Sequence, residues 1–236
     1  MDPFDAFLNF YSADLDVQAF LGVFYSDGCV AAPKPGGNSR FQFSQGFGNR
    51  GGEAYFNVVF FPMMSMLARR FTLRLAPDVT TSMKEGVPYS SWVMMSRRSP
   101  FWSSFYSMTY VDGVKVLPLW LADTLNEVFV AYFLMGDGTW QYTSGMKLCT
   151  NSFLPSSLGA LRSVLLRHGI DTVVMDEEVM KSGRMGQVLF IRKGDTASML
   201  AMQDIARRYF CPEMMYRAGL HPDGTPFEAT EKEEEE

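Results

Sequence analysis

The chain has 236 residues, of which 47% are hydrophobic and 14% aromatic, and it carries a formal net charge of −5 at pH 7. This composition is that of a folded protein with one large core or two smaller ones, and no apolar run reaches the roughly 18 residues that a membrane-spanning helix needs. Two histidines and three widely spaced cysteines exclude a zinc site and a disulfide framework, so a functional site must be built from carboxylates, amides, hydroxyls and basic side chains.

The first half of the predicted fold covers residues 14–118 and follows an N-terminal extension, residues 1–13. A helix is predicted over residues 14–28, because Asp14 can cap it, apolar residues recur at helical spacing and Gly28 closes it. The next predicted elements are a β-hairpin that turns at 33–38 and continues in the alternating run 40–45, a helix over 55–70, strands over 71–75 and 89–95, and a helix over 100–110.

The second half, residues 119–220, repeats this order. Its first helix is predicted over residues 123–138, with Asp123 or Thr124 as the cap. The next predicted elements are a hairpin of 139–142 with 146–150, a helix over 155–168, strands over 172–175 and 187–192, and a helix over 197–209. The order αββαββα therefore occurs twice, which predicts an α+β protein with two pseudo-symmetric halves.

The negative charge is concentrated at the C-terminus. Residues 228–236 hold six acids and one lysine, which accounts for the whole net charge and leaves the rest of the chain neutral. Such a run is typical of a solvated, disordered tail, and we predict an acidic tail over residues 221–236.

The first helix of each half ends with a small residue, an aspartate and a glycine, and these aspartates, Asp27 and Asp137, are 110 residues apart. Two helices pack closely only where small residues let their backbones approach. Residues of this kind on the predicted helix interface are Gly22, Ser26, Ala131 and Gly136. Close packing would bring both aspartates together at helix ends that are already negative, where they repel unless a cation lies between them. A divalent metal ion fits this requirement.

Residues 20–28 and 130–138 resemble the two copies of the motif that names the LAGLIDADG DNA endonucleases. Residues 145–153 resemble that family's strand entering its next helix, and residues 115–118 and 212–216 lie where the family has similar residues. The resemblance covers about residues 14–220. It implies a monomer in which two antiparallel β-sheets form a saddle over nucleic acid.

The resemblance also implies site residues. Asp27 and Asp137 would be catalytic and would bind Mg²⁺, with Gly28 and Gly138 beside the metal, because carboxylates, phosphate and water suffice as Mg²⁺ ligands. The side chains expected to contact bases or phosphates are Arg40, Gln42, Gln45, Gln141, Lys147, Gln187, Arg192 and Lys193. The nearest candidates for the family's basic residues at the scissile phosphate are Arg97 or Arg98 and Arg192 or Lys193.

Three functions stay open at this point. The first is a metal-dependent, site-specific double-strand DNA endonuclease, a hydrolase. The second is an RNA-binding cofactor of intron splicing, and the third is a structural subunit of a large organellar ribonucleoprotein such as a mitochondrial ribosome. The two non-catalytic functions are favoured by three features: the chain without its acidic C-terminal run is neutral, it has only seven lysines in all, and residues 60–64 are apolar. By resemblance we expect a mitochondrial or chloroplast protein without a membrane partner, although its N-terminal residues show no targeting peptide.

Overall fold

The computed structural model describes residues 14–46, 52–70, 75–84, 86–179, 183 and 185–227, and one order of elements occurs in it twice. The elements of the first half are α1 (Leu15–Tyr25), β1 (Cys29–Ala31), β2 (Arg40–Gly46), α2 (Gly52–Ala54), a π-helix (Tyr55–Phe60), α3 (Phe61–Arg70), β3 (Leu75–Lys84), β4 (Val87–Ser96) and α4 (Pro100–Thr109). The short strands β5 (Tyr110–Val111) and β6 (Val114–Lys115) pair with each other and lead into the second half.

The second half contains α5 (Leu119–Ala122), α6 (Glu127–Asp137), β7 (Gly138–Gln141), β8 (Gly145–Leu148), α7 (Pro155–Arg167), β9 (Val173–Val179), β10 (Met185–Arg192), α8 (Thr196–Tyr209) and a 3₁₀-helix (Pro212–Ala218). The two four-stranded sheets have the same connectivity, β1-β2-β4-β3 and β7-β8-β10-β9, and all their pairs are antiparallel. No helix among the described residues has the length and apolar character needed to cross a bilayer.

Several predicted boundaries differ from the observed ones. The predicted strand 71–75 lies outside the described residues except for Leu75, where β3 begins. The predicted cap of α6, Asp123 or Thr124, was wrong. Asn126 is the cap, because its side chain accepts hydrogen bonds from the backbone N–H of Val128 (2.9 Å) and Phe129 (3.4 Å). The part of the predicted tail from 221 to 227 is folded, with Phe227 stacked on Tyr142 at 5.5 Å. The rest of the tail and the N-terminal extension lie outside the described residues.

The helices α1 and α6 pack against each other between the two halves, and almost all of their residues are buried. Their backbones touch at Gly22, where an added Cβ would lie 2.6 Å from both the Phe129 carbonyl oxygen and Tyr132 Cβ. An added Cβ at Gly136 would overlap the Ser26 side chain. Across the same interface the buried Gln18 amide donates to the Thr124 carbonyl (3.1 Å) and accepts from the Asn126 N–H (3.0 Å). The small residues therefore set the distance between the two halves.

Gly28 does not close α1, which ends at Tyr25, whereas Gly138 directly follows α6 as its C-cap, with an extended backbone and a φ of −76°. An added Cβ at Gly28 would lie 2.9 Å from Phe24 Cα, and one at Gly138 would overlap the backbone carbonyl oxygen of Leu134. Glycine is required at both positions because there is no space for a side chain.

Candidate active site

The ends of α1 and α6 bring the two aspartates of the repeated motif to the same place. Asp27 Oδ2 lies 3.1 Å from the point where a Cβ on Gly136 would be, and Gly136 immediately precedes Asp137. Asp137 is half-buried and Asp27 keeps part of its surface open to solvent. The two carboxylates thus lie side by side where the C-terminal ends of α1 and α6 meet.

Both carboxyl groups resist ionisation. Burial raises the pKa of Asp137 well above its ordinary value and the neighbouring Asp27 raises it further, while Lys115 and Arg217 lower it. Burial also raises the pKa of Asp27, again opposed by Arg217 and Lys115. The rise in pKa is larger for Asp137 than for Asp27, because Asp27 is more exposed and water screens its charge. A cation bound between the two carboxylates would oppose the rise in both pKa values.

Lys115, at the end of β6, binds the end of α1. Its Nζ donates hydrogen bonds to the carbonyl oxygen of Phe24 (2.6 Å), which is negative because it lies in the last turn of the helix, and to that of Gly28 (2.7 Å), which directly precedes β1. Burial lowers the pKa of Lys115 to about 8, although Asp137, Cys29 and Asp27 favour its charged form.

Arg217 occupies the corresponding place in the second half. It lies in the 3₁₀-helix, and its NH1 donates to the carbonyl oxygens of Gly136 and Gly138, both at 2.7 Å. Each half therefore contributes one acid and one base, and each base binds the backbone on both sides of its own aspartate.

Neither Lys115 nor Arg217 is among the basic residues predicted at the scissile phosphate. The predicted residues were Arg97 or Arg98 and Arg192 or Lys193, but Arg98 donates to the Asn38 carbonyl and Lys193 to the Tyr142 carbonyl. The segments around Lys115 and Arg217 were recognised as family-like, and this was the one signal that could have identified them. No local pattern shows that a lysine 88 residues after Asp27 contacts the end of the Asp27 helix.

The two aspartates fit a divalent cation of the kind that binds oxygen. A pair of carboxylates that raise each other's pKa is relieved by a cation between them, and Mg²⁺ completes its shell with water and phosphate oxygens. Among the residues that the structure describes, no three His, Cys, Asp or Glu side chains cluster as metal ligands. The protein would therefore supply the two carboxylates. The carbonyls of Gly28 and Gly138 accept hydrogen bonds but keep a second lone pair, so their role as ligands stays a prediction.

The predicted nucleic-acid-binding residues lie on both sheets, but not all on the same face. Each sheet has one face packed on helices and one that we call the open face. Alternation along β2 places Arg40 and Gln42 on the open face, and the β7–β8–β10 register places Gln141, Lys147 and Arg192 on the open face of the second sheet.

The prediction for Gln45 was wrong, and the Gln187 side chain also does not lie on the open face. Gln45 shares the helix-covered face with Phe41 and Phe43 and is only 6% exposed. Gln187 shares its face with the fully buried Leu189 and Ile191, and its amide donates to Asp176 at 3.0 Å. In both cases the strand period of two sends the side chain away from the open face.

The described parts of the open faces carry little net charge. On the first sheet Arg40 is accompanied by Asp78, and on the second Lys147 is ion-paired with Glu177, which also accepts from Asn151. Arg192 and the adjacent Lys193 are exposed. The positive charge that phosphates would meet on these faces is therefore modest.

Replacing Lys115 with methionine is expected to lower the free energy of unfolding by about 2 kcal/mol, because two backbone carbonyls lose a charged donor and Asp27 loses a neighbouring cation. Urea unfolding followed by fluorescence measures the loss. Lys193→Met is the matched control, since Lys193 is exposed and binds a single carbonyl, and it should change stability by less than about 0.5 kcal/mol. Equal losses in the two variants would contradict the role of Lys115.

Comparison with known proteins identifies the family and the fold. Residues 17–199 match the family model described as the LAGLIDADG DNA endonuclease family. The fold is similar to that of the homing endonuclease I-WcaI, whose structure was determined bound to its DNA recognition sequence. The TM-score is 0.64 at 16% sequence identity, over 92% of this chain and 94% of that chain. No curated protein sequence matches the chain significantly. The predicted fold of two αββαββα halves is thereby confirmed.

Proposed function

The chain belongs to the LAGLIDADG DNA endonuclease family, and on that premise we propose that it is a metal-dependent endonuclease that cuts both strands of a specific duplex DNA. The observation that carries the proposal is the pair Asp27 and Asp137, held side by side at two helix ends with a base from each half beside them. A similar fold bound to its DNA recognition sequence supports duplex DNA as the partner.

Four residues of this chain would have distinct roles in the reaction. Asp27 and Asp137 would hold Mg²⁺, which supplies a Lewis acid and an ionised water for phosphodiester hydrolysis. Lys115 and Arg217 keep the helix ends, and with them the carboxylates, in place. Their positive charges also offset the negative charge that scissile phosphates would add to the site. Because each half contributes one acid and one base, the arrangement suits one phosphodiester on each strand.

The test is to incubate the full-length protein with a random library of duplexes and Mg²⁺ and to sequence the cut ends. We expect ends that share a defined sequence on both sides of the cut. A library that stays uncut at every protein concentration would count against an endonuclease.

The weak charge of the described open faces favours a second candidate, a non-catalytic descendant that binds structured RNA or serves as a subunit of an organellar ribonucleoprotein. Tight duplex binding normally relies on many lysines and arginines at phosphates, and few described ones are available here. Gel retardation separates the candidates: RNA retained more tightly than any duplex, together with an uncut library, would support the second. The mitochondrial or chloroplast compartment stays a prediction.

The increase in melting temperature that Mg²⁺ causes is expected to become larger as the pH rises. The folded pKa of Asp137 is raised, so below it a proton competes with the cation, and apparent affinity should fall by up to about tenfold for each pH unit. Melting temperatures with and without Mg²⁺, taken at a series of pH values that rises from the ordinary carboxyl pKa of about 4, measure this. A Mg²⁺ effect that is constant over that range would contradict it, and Ca²⁺ in place of Mg²⁺ serves as a control for binding without a demand on catalysis.

A further inference from the structure

An ion pair crosses the open face of the second sheet. Lys147 lies in β8 and Glu177 in β9, and β10 lies between these two strands. Phe190 of β10 is the register partner of Lys147 and therefore shares its face, as does Val188 two residues before it. Val188 and Phe190 are only 4% and 7% exposed, so other side chains lie over them. The ion pair thus lies across the middle of the open face, on an apolar strand.

Both oxygens of the Glu177 carboxylate are held in place. Oε1 accepts a hydrogen bond from Nζ of Lys147, and Oε2 accepts one from the side-chain amide of Asn151, which lies in the turn after β8. The two side chains of the ion pair are also partly buried. A glutamate held by two donors has lost much of the rotamer freedom of a solvated one. The acid is therefore a fixed feature of this face.

The ion pair is poorly suited to bind phosphate. A lysine binds phosphates through its positive charge, and here the carboxylate offsets that charge and itself repels phosphate. Arg192 and Lys193 are exposed and suit phosphates better. The edge of a base pair in the major groove, by contrast, presents uncharged donors and acceptors side by side. The chemistry of the ion pair therefore matches a base edge rather than the DNA backbone.

A G·C pair fits the donors and acceptors of this ion pair. An ammonium group has three N–H donors and a carboxylate about four acceptor positions, so each partner can bind a further group while the ion pair stays intact. In the major groove guanine presents the acceptors N7 and O6, and cytosine presents its N4 amino donor beside O6. Lysine favours the first two atoms and glutamate the third. An A·T pair instead places its donor between two acceptors, which the carboxylate repels.

We propose that the ion pair recognises one G·C base pair of the DNA target, with Lys147 donating to guanine N7 and O6 and Glu177 accepting from the N4 amino group of cytosine. This inference rests on the proposed function, because it requires duplex DNA on the open faces. Glu177 is a specificity-determining residue in this arrangement. It orients the lysine, selects an amino group and repels base pairs that present an acceptor there.

The experiment selects binding sites from a random library of duplexes with the full chain in Ca²⁺, so that no cleavage is needed, and compares Glu177→Gln with Asp78→Asn. Asp78 is the matched control, because it is an acid on the open face of the first sheet and its substitution changes the net charge equally. The wild type should prefer G·C at one position by about tenfold or more. In Glu177→Gln this preference should fall below about threefold and move towards A·T, since glutamine pairs with adenine.

Asp78→Asn should keep the G·C preference at that position. Loss of the preference in this control, or its persistence in Glu177→Gln, would overturn the role of the ion pair and leave the proposed function standing. A Lys147→Met protein that binds every duplex more weakly by the same factor would do so as well, because that is the result expected of a phosphate contact. A wild type that neither retains nor cuts any duplex would overturn both.

A double-mutant cycle of Lys147→Met and Glu177→Gln gives an independent measurement. Because both side chains contact the same base pair, their effects on the discrimination between G·C and A·T at that position should not add. Additive effects would show that Lys147 and Glu177 act separately and would also overturn the proposal.

Discussion

Replacing Asp137 with asparagine is expected to abolish DNA cleavage and, at the same time, to raise the melting temperature of the metal-free protein. Cleavage should fall by at least roughly 10²–10³-fold, because the site loses one of its two carboxylates and with it the charge that holds a divalent cation. The rate is measured on the selected target duplex under single-turnover conditions.

The gain in stability follows from the raised pKa of Asp137, which burial causes first and Asp27 increases. The folded protein then binds a proton more tightly than the unfolded chain. Between the ordinary carboxyl pKa of about 4 and the raised value, stability therefore falls as pH rises. Asparagine removes this loss, and relief of the repulsion of about 1 kcal/mol or more corresponds to roughly 2–4 °C.

Thermal melting at pH 7.5 in the presence of a chelator measures the change. Asp123→Asn is the control. The Asp123 carboxylate is 82% exposed and its ion pair with Arg167 is long, at 3.9 Å, so the substitution should leave both activity and melting temperature nearly unchanged. An Asp137→Asn protein that melts lower than the wild type, or that still cuts, would contradict the paired-carboxylate site.

Replacing Gly22 with valine is expected to destabilise the protein by several kcal/mol. The added Cβ alone would lie 2.6 Å from the Phe129 carbonyl oxygen, and a backbone atom cannot rotate away as a side chain can. The helices α1 and α6 would have to separate, and overpacking of a close-packed interior costs about 1–3 kcal/mol for a few added methyl groups, or more where the backbone must move. The carboxylates at the helix ends would separate too, so cleavage should also fall.

Urea unfolding compares this variant with Gly159→Ala. Gly159 lies in the exposed part of α7, where an added Cβ meets nothing within 4 Å, so alanine should stabilise the helix by up to about 1 kcal/mol. Loss of stability confined to Gly22→Val is the expected result. If Gly22→Val unfolded at the same urea concentration as the wild type, the close helix contact would be wrong.

Much of the fold could be predicted because its signals are local. Apolar residues at helical spacing, the capping side chain of Asp14 and the alternation in 40–45 each report on neighbours within one turn or one strand. The repetition of their order made two similar halves the simplest interpretation. The misplaced cap has the same origin, since Asp123, Thr124 and Asn126 are all good caps and only the observed helix start selects among them.

The site was harder to predict than the fold. The sequence by itself determined that two Asp-Gly pairs follow two helices with small residues, because these features lie within a few residues of each other. The tertiary structure alone decided that Lys115 and Arg217 bind the backbone beside Asp27 and Asp137 and that Gln45 points into the core. The physical reason is that such contacts join residues far apart in the chain, and their geometry depends on how whole helices and sheets pack, to which no periodicity in the sequence responds.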